Sequence, residues 1–268
     1  MTRLVDAMEK LRWADHHLAE LEASAWEWLA DKGHLPPFAE KVDVPQQRKI
    51  VLRFTDTPPV PPDWPLRAAD AIANYRSVLD YIAWQLVDLG SHPKPLTDRL
   101  AQGVQFPIIY KWKPSEHPAD LFAQSCTSRL PGVDPTHIKV IERHQPYKWG
   151  SANIENHPLV RLTRFSNRDK HRQLRLVGTV PSGVTYDIVE GVNCSITHVE
   201  RLSPGNFQPN ADFLWIYYDP TGMGEPDVLV RVETRTVVAF ADGPALEITM
   251  REIAREVREI LDEFKRLI

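Results

Sequence analysis

The sequence predicts an α+β fold, a helical bundle with an antiparallel β-meander inserted before a long C-terminal helix. Three observations predict it. Residues 3–31 and 65–90 carry amphipathic patterns, with apolar side chains recurring every three or four positions. From residue 174 onward the pattern changes to β-rich segments separated by Pro, Gly, Asn and Asp. The last segment, 245–268, again has a strongly amphipathic helical pattern.

Local signals set the helix boundaries. Gly33 provides an end for the first helix. Pro65 and Gly90 lie at the start and the end of the second helix, which is the expected asymmetry of helix termini. The apolar stripe predicted for this second helix consists of Leu66, Ala69, Ala73, Leu79, Ile82, Leu86 and Leu89.

The stretch 91–156 is predicted to be irregular, apart from two segments. An apolar run lies at 104–109, and a helix is predicted at 134–144. A third helical pattern follows at 157–173.

Strands are predicted before and after this helical stretch. One strand is expected at 47–55, and about five strands of the meander are expected at 175–180, 185–190, 193–202, 212–219 and 227–240. The predicted organisation is a mainly helical part at 1–175, a β region at 176–243 and a C-terminal helix at 244–268 that packs back, together forming one compact unit.

Composition limits the class of protein. The chain has 268 residues and a formal net charge of −4, so its overall charge does not attract nucleic acid or anionic lipid, which leaves only a local basic patch open. The two cysteines, Cys126 and Cys194, belong to no CxxC arrangement, which is typical of a reducing compartment. The sequence has no secretory leader pattern and no apolar run of ~20 residues. We therefore expect a cytoplasmic protein without a membrane partner.

Motifs that bind common cofactors are absent from the sequence. There is no GxGxxG and no GxxxxGK[ST], and neither HExxH nor GxSxG occurs. The ten histidines are scattered, and the adjacent pair His16 and His17 point ~100° apart on a helix. The sequence therefore predicts neither a cofactor nor a metal site.

A first polar group lies on the second predicted helix. Its candidate binding residues are Asn74, Arg76, Ser77 and Asp80. Arg76 and Asp80 are four positions apart and can form an ion pair on one helix face. One interpretation is a solvated face with a single surface ion pair worth at most about 0.5 kcal/mol. The other is a central helix whose polar side chains pair with other parts of the chain.

A second polar group lies near the end of the third helix. Arg164 and His171 are the candidate catalytic residues, and the candidate binding residues are Asn167, Arg168, Asp169 and Lys170. The guanidiniums of Arg164 and Arg168 and the imidazole of His171 lie on adjoining turns, and such a face can bind a phosphate or a carboxylate. Histidine can also move a proton near neutral pH. The alternative is a basic helix end that interacts favourably with the helix dipole.

Four segments together resemble a widespread group of uncharacterised bacterial proteins. They are NYRSVLDYIAWQLV at 74–87, FPI at 106–108, IERHQPY at 141–147 and NRDKHR at 167–172. The same order of segments occurs in that group, with a histidine often at the position of Tyr81. The resemblance implies common ancestry over about residues 65–175 and assigns no reaction.

The spacing between Arg164 and His171 is also similar to that of HEPN domains, helical bundles that include metal-independent ribonucleases. The resemblance implies that His171 shuttles a proton during attack of a ribose 2′-OH, while Arg164 stabilises charge on the phosphate. It further implies that Asn167 and Asp80 position these groups. RNA or a nucleotide would be the partner, in a homodimer whose subunits share a cleft.

Two functions therefore stay open from the sequence. One is a HEPN-like ribonuclease or nucleotide-binding protein, with Arg164 and His171 meeting the 74–85 helix in a cleft. The other is a non-enzymatic binding or interaction protein whose polar helix cluster is structural. The second hypothesis expects Arg164 and His171 to be buried and satisfied by Asp80 or by backbone carbonyls.

Overall fold

The computed structural model describes residues 4–29, 39–55, 60–90, 97–171, 174–179, 184–202, 210–222, 224–234, 237–240 and 245–268. Contacts between residues divide the chain into two compact units. The helical unit comprises Met1–Ala23, Pro62–Arg175 and Glu247–Ile268, and the β unit comprises Ser24–Pro61 and Leu176–Leu246. The α+β fold class is confirmed, including the C-terminal helix.

Of the helices among the described residues, those at 98–103 and 118–129 were not predicted, and the other five begin and end close to the predicted positions. There are seven helices in this part of the chain. They are α1 (Val5–Leu29), α2 (Trp64–Gly90), α3 (Asp98–Gly103), α4 (Pro118–Arg129), α5 (Pro135–Arg143), α6 (Pro158–His171) and α7 (Leu246–Leu267). The predicted end of α1 at Gly33 lies outside the described residues. Among the described residues, no helix combines the length and the apolar character that crossing a bilayer requires.

Helix α4 lies in the stretch predicted to be irregular. It buries only Phe122 and Cys126, so its sequence lacks the repeated apolar spacing that identifies a packed helix. Proline at its first position is favourable because the first amide of a helix has no intrahelical partner.

Helix α2 is central to the helical unit, but its buried face differs from the predicted stripe. Leu66 is 57% exposed and Ala73 is also exposed, so both predictions are wrong. The buried arc is broader than a leucine stripe and includes small and aromatic side chains. Its members are Trp64, Ala68, Ala69, Ala71, Ile72, Tyr75, Val78, Leu79, Ile82, Ala83, Leu86 and Val87.

Polar contacts join α2 and α7 to α1. The fully buried Tyr75 donates its hydroxyl to Asp15 at 2.9 Å, and Arg258 donates to the same carboxylate at 2.7 Å. Asp15 therefore bridges three helices, and burial together with this carboxylate raises the pKa of Tyr75. Further along, Arg251 binds Glu22 through two hydrogen bonds.

A close backbone approach at the end of α2 supplies a test of the fold. A Cβ atom added at Gly90 would lie 1.9 Å from the carbonyl oxygen of Gly132, whose φ of +77° itself favours glycine. We expect Gly90→Ala to destabilise the helical unit by about 2 kcal/mol, because backbone must move to relieve the overlap. Chemical denaturation measures this loss. Gly103→Ala is the matched control, since nothing lies within 4 Å of its added Cβ, and an equal loss in both variants would contradict the expectation.

The β unit is built from antiparallel pairs. Its strands are β1 (Ala39–Val44), β2 (Lys49–Phe54), β3 (Leu176–Thr179), β4 (Val184–Val192), β5 (Cys194–Arg201), β6 (Asp212–Pro220), β7 (Asp227–Thr234) and β8 (Val237–Phe240). One sheet has the order β1-β2-β6-β5, and two further pairs are β3-β8 and β4-β7. A hydrophobic core lies against the four-stranded sheet and includes Ile50, Leu52, Phe213, Leu214 and Ile216.

The antiparallel pairing was predicted, but a meander order is not present among the described strands. After residue 175, the pairing of β5 with β6 is the only one that joins neighbours in sequence, while β4 pairs with β7 and β3 with β8. Along the sequence, the pair β5-β6 therefore lies between the strands of β4-β7, which in turn lie between those of β3-β8. The segment predicted as one strand at 227–240 forms both β7 and β8.

Candidate functional site

An ion pair on α2 fixes a neighbouring segment of the chain. Arg76 donates to Asp80 from Nε at 3.1 Å and from Nη2 at 2.9 Å, so the predicted pair is present. Its Nη2 also donates to the Phe106 carbonyl oxygen at 3.0 Å, and the Phe106 amide donates to Asp80 Oδ1 at 3.0 Å. The Arg76 side chain is only 11% exposed. The interpretation as a lone surface ion pair is therefore wrong, because the pair is partly buried and holds another backbone.

Gln145 holds the same segment from the other side. Its side chain is fully buried; Oε1 accepts from the Ile109 amide at 2.9 Å, and Nε2 donates to the Pro107 carbonyl at 2.8 Å. Residues 104–110, which we call the bracketed segment, belong to no helix or strand. Side chains satisfy these buried backbone groups instead.

The four segments that carry the family resemblance meet around this structure. Arg76 and Asp80 come from the first and Gln145 from the third, and all three hold the backbone of the second. Asn167 from the fourth segment lines a cavity together with Ile108. Residues from all four segments therefore meet in one local arrangement.

The cavity lies against the bracketed segment and has a volume of about 280 Å³. Side chains from α2, α4 and α6 complete its wall. Its lining consists of Arg76, Gln105, Phe106, Ile108, Tyr110, Arg129, Thr163, Ser166 and Asn167. We call it the arginine pocket.

Among the described residues, the lining contains two guanidiniums and no carboxylate. Arg129 donates from Nη1 to Gln105 Oε1 at 2.6 Å, and Arg76 uses Nε and Nη2 as described above. Within the described part of the chain, Arg76 Nη1 and Arg129 Nε and Nη2 make no hydrogen bond. These N–H groups are available to an acceptor that enters the pocket.

Helix α6 adds neutral polar groups to the same wall. Thr163 donates its hydroxyl to the Leu159 carbonyl at 2.8 Å, which leaves its oxygen able to accept. Ser166 is 8% exposed and Asn167 is exposed, and both line the pocket. The Ser166 hydroxyl and the Asn167 amide can donate to an oxyanion beside the two guanidiniums, whereas the Thr163 hydrogen is already used.

Arg164 lies outside this pocket lining. It forms an ion pair with Glu155, and its side chain is 43% exposed. The expectation that Arg164 is buried and satisfied by Asp80 or by backbone carbonyls is therefore wrong, because its side chain is exposed and pairs with a carboxylate of another element. Arg168 is exposed on the same helix.

His171 is the last residue of α6, and the side chains of Asp169, Lys170 and His171 lie outside the described residues. The predicted meeting of Arg164 with His171 is therefore untested, and the ribonuclease hypothesis stays a prediction.

Asn74 and Ser77 make contacts of a structural kind. Asn74 accepts from Lys10 Nζ at 3.2 Å and donates to the Asp70 carbonyl at 2.8 Å. Ser77 donates to the Ala73 carbonyl at 2.8 Å. These contacts tie both side chains to α2 itself or to α1, away from the pocket lining.

Sequence reasoning missed several pocket residues. Arg129 ends α4, a helix that the sequence pattern did not predict, while Gln105 lies within the apolar run at 104–109 and Tyr110 follows it. Only the apolar run at 104–109 gave a signal, because an apolar segment without helical or strand context must be held by side chains from elsewhere.

A second polar cluster lies between α5, α6 and α7. His144 Nδ1 lies 2.9 Å from Glu256 Oε1, and its Nε2 lies 3.5 Å from Glu263 Oε1, within ion-pair distance but outside hydrogen-bond geometry. Burial disfavours the charged form of His144, but the two carboxylates outweigh it and raise the pKa of His144.

His157 is the other histidine of this cluster and is fully buried. Its Nδ1 accepts the Leu159 amide at 3.2 Å, so the side chain caps the N-terminus of α6. Its Nε2 has no hydrogen-bond partner among the described residues. Burial therefore lowers the pKa of His157 to about 4. Among the described residues, no group of three or more His, Cys, Asp or Glu side chains is arranged to hold a metal ion.

Comparisons with protein-family models, with curated proteins and with solved structures give no match to this chain.

Proposed function

We propose that the helical unit is a binding module for a small anion, which it takes up in the arginine pocket. The observation that carries the proposal is the lining of one cavity by Arg76 and Arg129, with no carboxylate among the lining residues that the structure describes. Guanidinium groups bind phosphate and carboxylate oxygens through charge-assisted hydrogen bonds.

The charge of the site limits the ligand. Asp80 occupies one edge of the Arg76 guanidinium and offsets its charge, while Arg129 is paired only with the neutral Gln105 among the described residues. The pocket therefore favours an anionic group of low charge, such as a carboxylate or a phosphate monoester. A volume of about 280 Å³ holds such a group and a few further atoms.

The proposal makes the polar cluster a scaffold for binding. Arg76, Asp80 and Gln145 hold the bracketed segment, and this segment supplies Phe106, Ile108 and Tyr110 to the pocket wall. Preorganised donors lose little entropy when the ligand enters, which supports binding.

Arg129→Gln tests the proposal because the side chain of Arg129 makes only one hydrogen bond to the described residues, the one to Gln105. We expect inorganic phosphate, pyrophosphate or succinate to raise the melting temperature of the wild-type protein. Arg129→Gln should weaken the preferred anion about tenfold to a hundredfold, the equivalent of one charge-assisted interaction. Differential scanning fluorimetry and isothermal titration calorimetry measure both quantities.

The matched control is Arg12→Gln, which removes an arginine whose side chain is 70% exposed and remote from the pocket lining. It should bind the anion as the wild type does. Absence of binding by every anion, or equal binding by all three proteins, would contradict the proposal.

A further inference from the structure

The arginine pocket shares a wall with a second, more open cavity. This cavity has a volume of about 380 Å³ and is lined by Tyr110, Lys111, Trp112 and Ile154. Tyr110 belongs to both linings. We call the surface of Tyr110, Trp112 and Ile154 the aromatic shelf.

One stretch of backbone supplies both cavities. Phe106, Ile108 and Tyr110 line the arginine pocket, and Tyr110 and Trp112 line the second cavity. The same stretch of chain therefore runs from the arginine pocket to the aromatic shelf.

The chemistry of the shelf suits a flat ring. Tyr110 and Trp112 are both half-buried, and Ile154, at 8% exposure, adds an apolar surface beside them. Lys111 Nζ lies 5.3 Å from the centre of the Tyr110 ring and is the charged residue among the described members of this lining. Aromatic side chains at an open cavity bind planar rings by stacking.

We propose that the site takes an anion that carries a planar ring, with the anionic group in the arginine pocket and the ring on the aromatic shelf. A nucleoside monophosphate and an aryl carboxylate share this chemistry. The inference rests on the proposed anion binding, because the shelf extends the same site.

The experiment compares ligands with and without the ring. The probes are adenosine monophosphate, ribose 5-phosphate, adenosine and indole-3-acetate, titrated into the full chain by calorimetry. We expect one of the two ring-bearing anions to bind at least tenfold more tightly than ribose 5-phosphate, and the stronger of them identifies the source of the ring. Adenosine should bind weakly because it lacks the anionic group.

Substitutions at the shelf assign the effect to the ring. Trp112→Ala should remove the tenfold preference and leave the affinity for ribose 5-phosphate unchanged, while Trp112→Phe should retain most of the preference. Trp13→Ala, which removes an exposed tryptophan of α1, is the matched control and should behave as the wild type. Melting temperatures establish that each variant is folded.

The possible failures separate the two proposals. Equal affinity for ribose 5-phosphate and both ring-bearing anions would overturn the aromatic shelf and leave anion binding intact. An equal loss of affinity for adenosine monophosphate and ribose 5-phosphate in Trp112→Ala would also overturn it. If the wild-type protein bound none of the anionic probes, the proposed function itself would be overturned.

Discussion

Asp80→Ala should destabilise the helical unit by about 3 kcal/mol, because it removes the partner of a partly buried charge. The Arg76 side chain is 11% exposed and would lose both hydrogen bonds to the carboxylate. The Phe106 amide, on a residue that is fully buried, would lose its acceptor as well. Chemical denaturation followed by circular dichroism measures the change in the free energy of unfolding.

Two further variants separate the charge from the hydrogen bonds. Asp80→Asn keeps an oxygen that can accept from the Phe106 amide, so it should cost less than Asp80→Ala. Arg76→Leu combined with Asp80→Ala should cost less than the sum of the single changes, because no unpaired charge remains. Asp262→Ala removes an exposed pair with Lys265 and should change stability by less than about 0.5 kcal/mol. If Asp80→Ala changed the free energy of unfolding as little as this control does, Asp80 would not have the structural role assigned to it.

The ion pair at Arg76 and Asp80 was predictable from sequence because its two residues are one helical turn apart. Its connection to Phe106 was not, because that contact spans 26 positions of the chain. Gln145 reaches Pro107 across 38 positions in the same way. Local patterns therefore identified Arg76 and Asn167, while Arg129 and Gln105 joined the pocket through tertiary contacts that the sequence does not show.

Helices with a repeated apolar face were predictable for the same reason. α1, α2 and α7 each bury one face over several turns, and that spacing is visible in the sequence. The prediction of the buried side of α2 was less accurate, since Leu66 is exposed while Tyr75 is fully buried. Leucine count is a poor guide where small and aromatic side chains pack instead.

Strand existence was predictable, but strand pairing was not. Antiparallel neighbours in sequence are the default, and a meander follows from it. Here β4 pairs with β7 along eight matched positions, and β2, which precedes the helices, pairs with β6. Such pairings depend on contacts far apart along the chain, which alternating side chains do not encode.

A second large effect is expected from pH, through His157. Its pKa in the folded protein is lowered to about 4, while in the unfolded chain it returns to the ordinary value of 6.5. The unfolded state therefore binds more protons between these values, and stability falls as the pH decreases through this window. The full loss amounts to at most about 3 kcal/mol. Because protonation of Nδ1 would also remove the acceptor for the Leu159 amide, the N-terminus of α6 should open first.

His144 should act in the opposite sense. Its folded pKa lies above 6.5, so its stabilising contribution is present below pH 6.5 and is lost as the pH rises through the folded value. The two histidines together should place the stability maximum of the helical unit near pH 6.5. His157→Asn keeps a side-chain oxygen at the helix cap and should flatten only the acidic side of the curve. His144→Asn should flatten only the alkaline side.

Denaturation midpoints measured across this range, with amide exchange of the first turn of α6, provide the readout. Carboxylates such as Glu142, whose pKa is lowered by Lys148, lose their contribution only as the pH falls below the ordinary value of 4.5. The interval between 4.5 and 6.5 therefore reports on His157 before these groups titrate. An unchanged acidic slope in His157→Asn would show that another group controls it and that the buried Nε2 carries no penalty. A reduced slope would instead trace the acid sensitivity of α6, and with it the Thr163 to Asn167 wall of the arginine pocket, to one uncompensated imidazole.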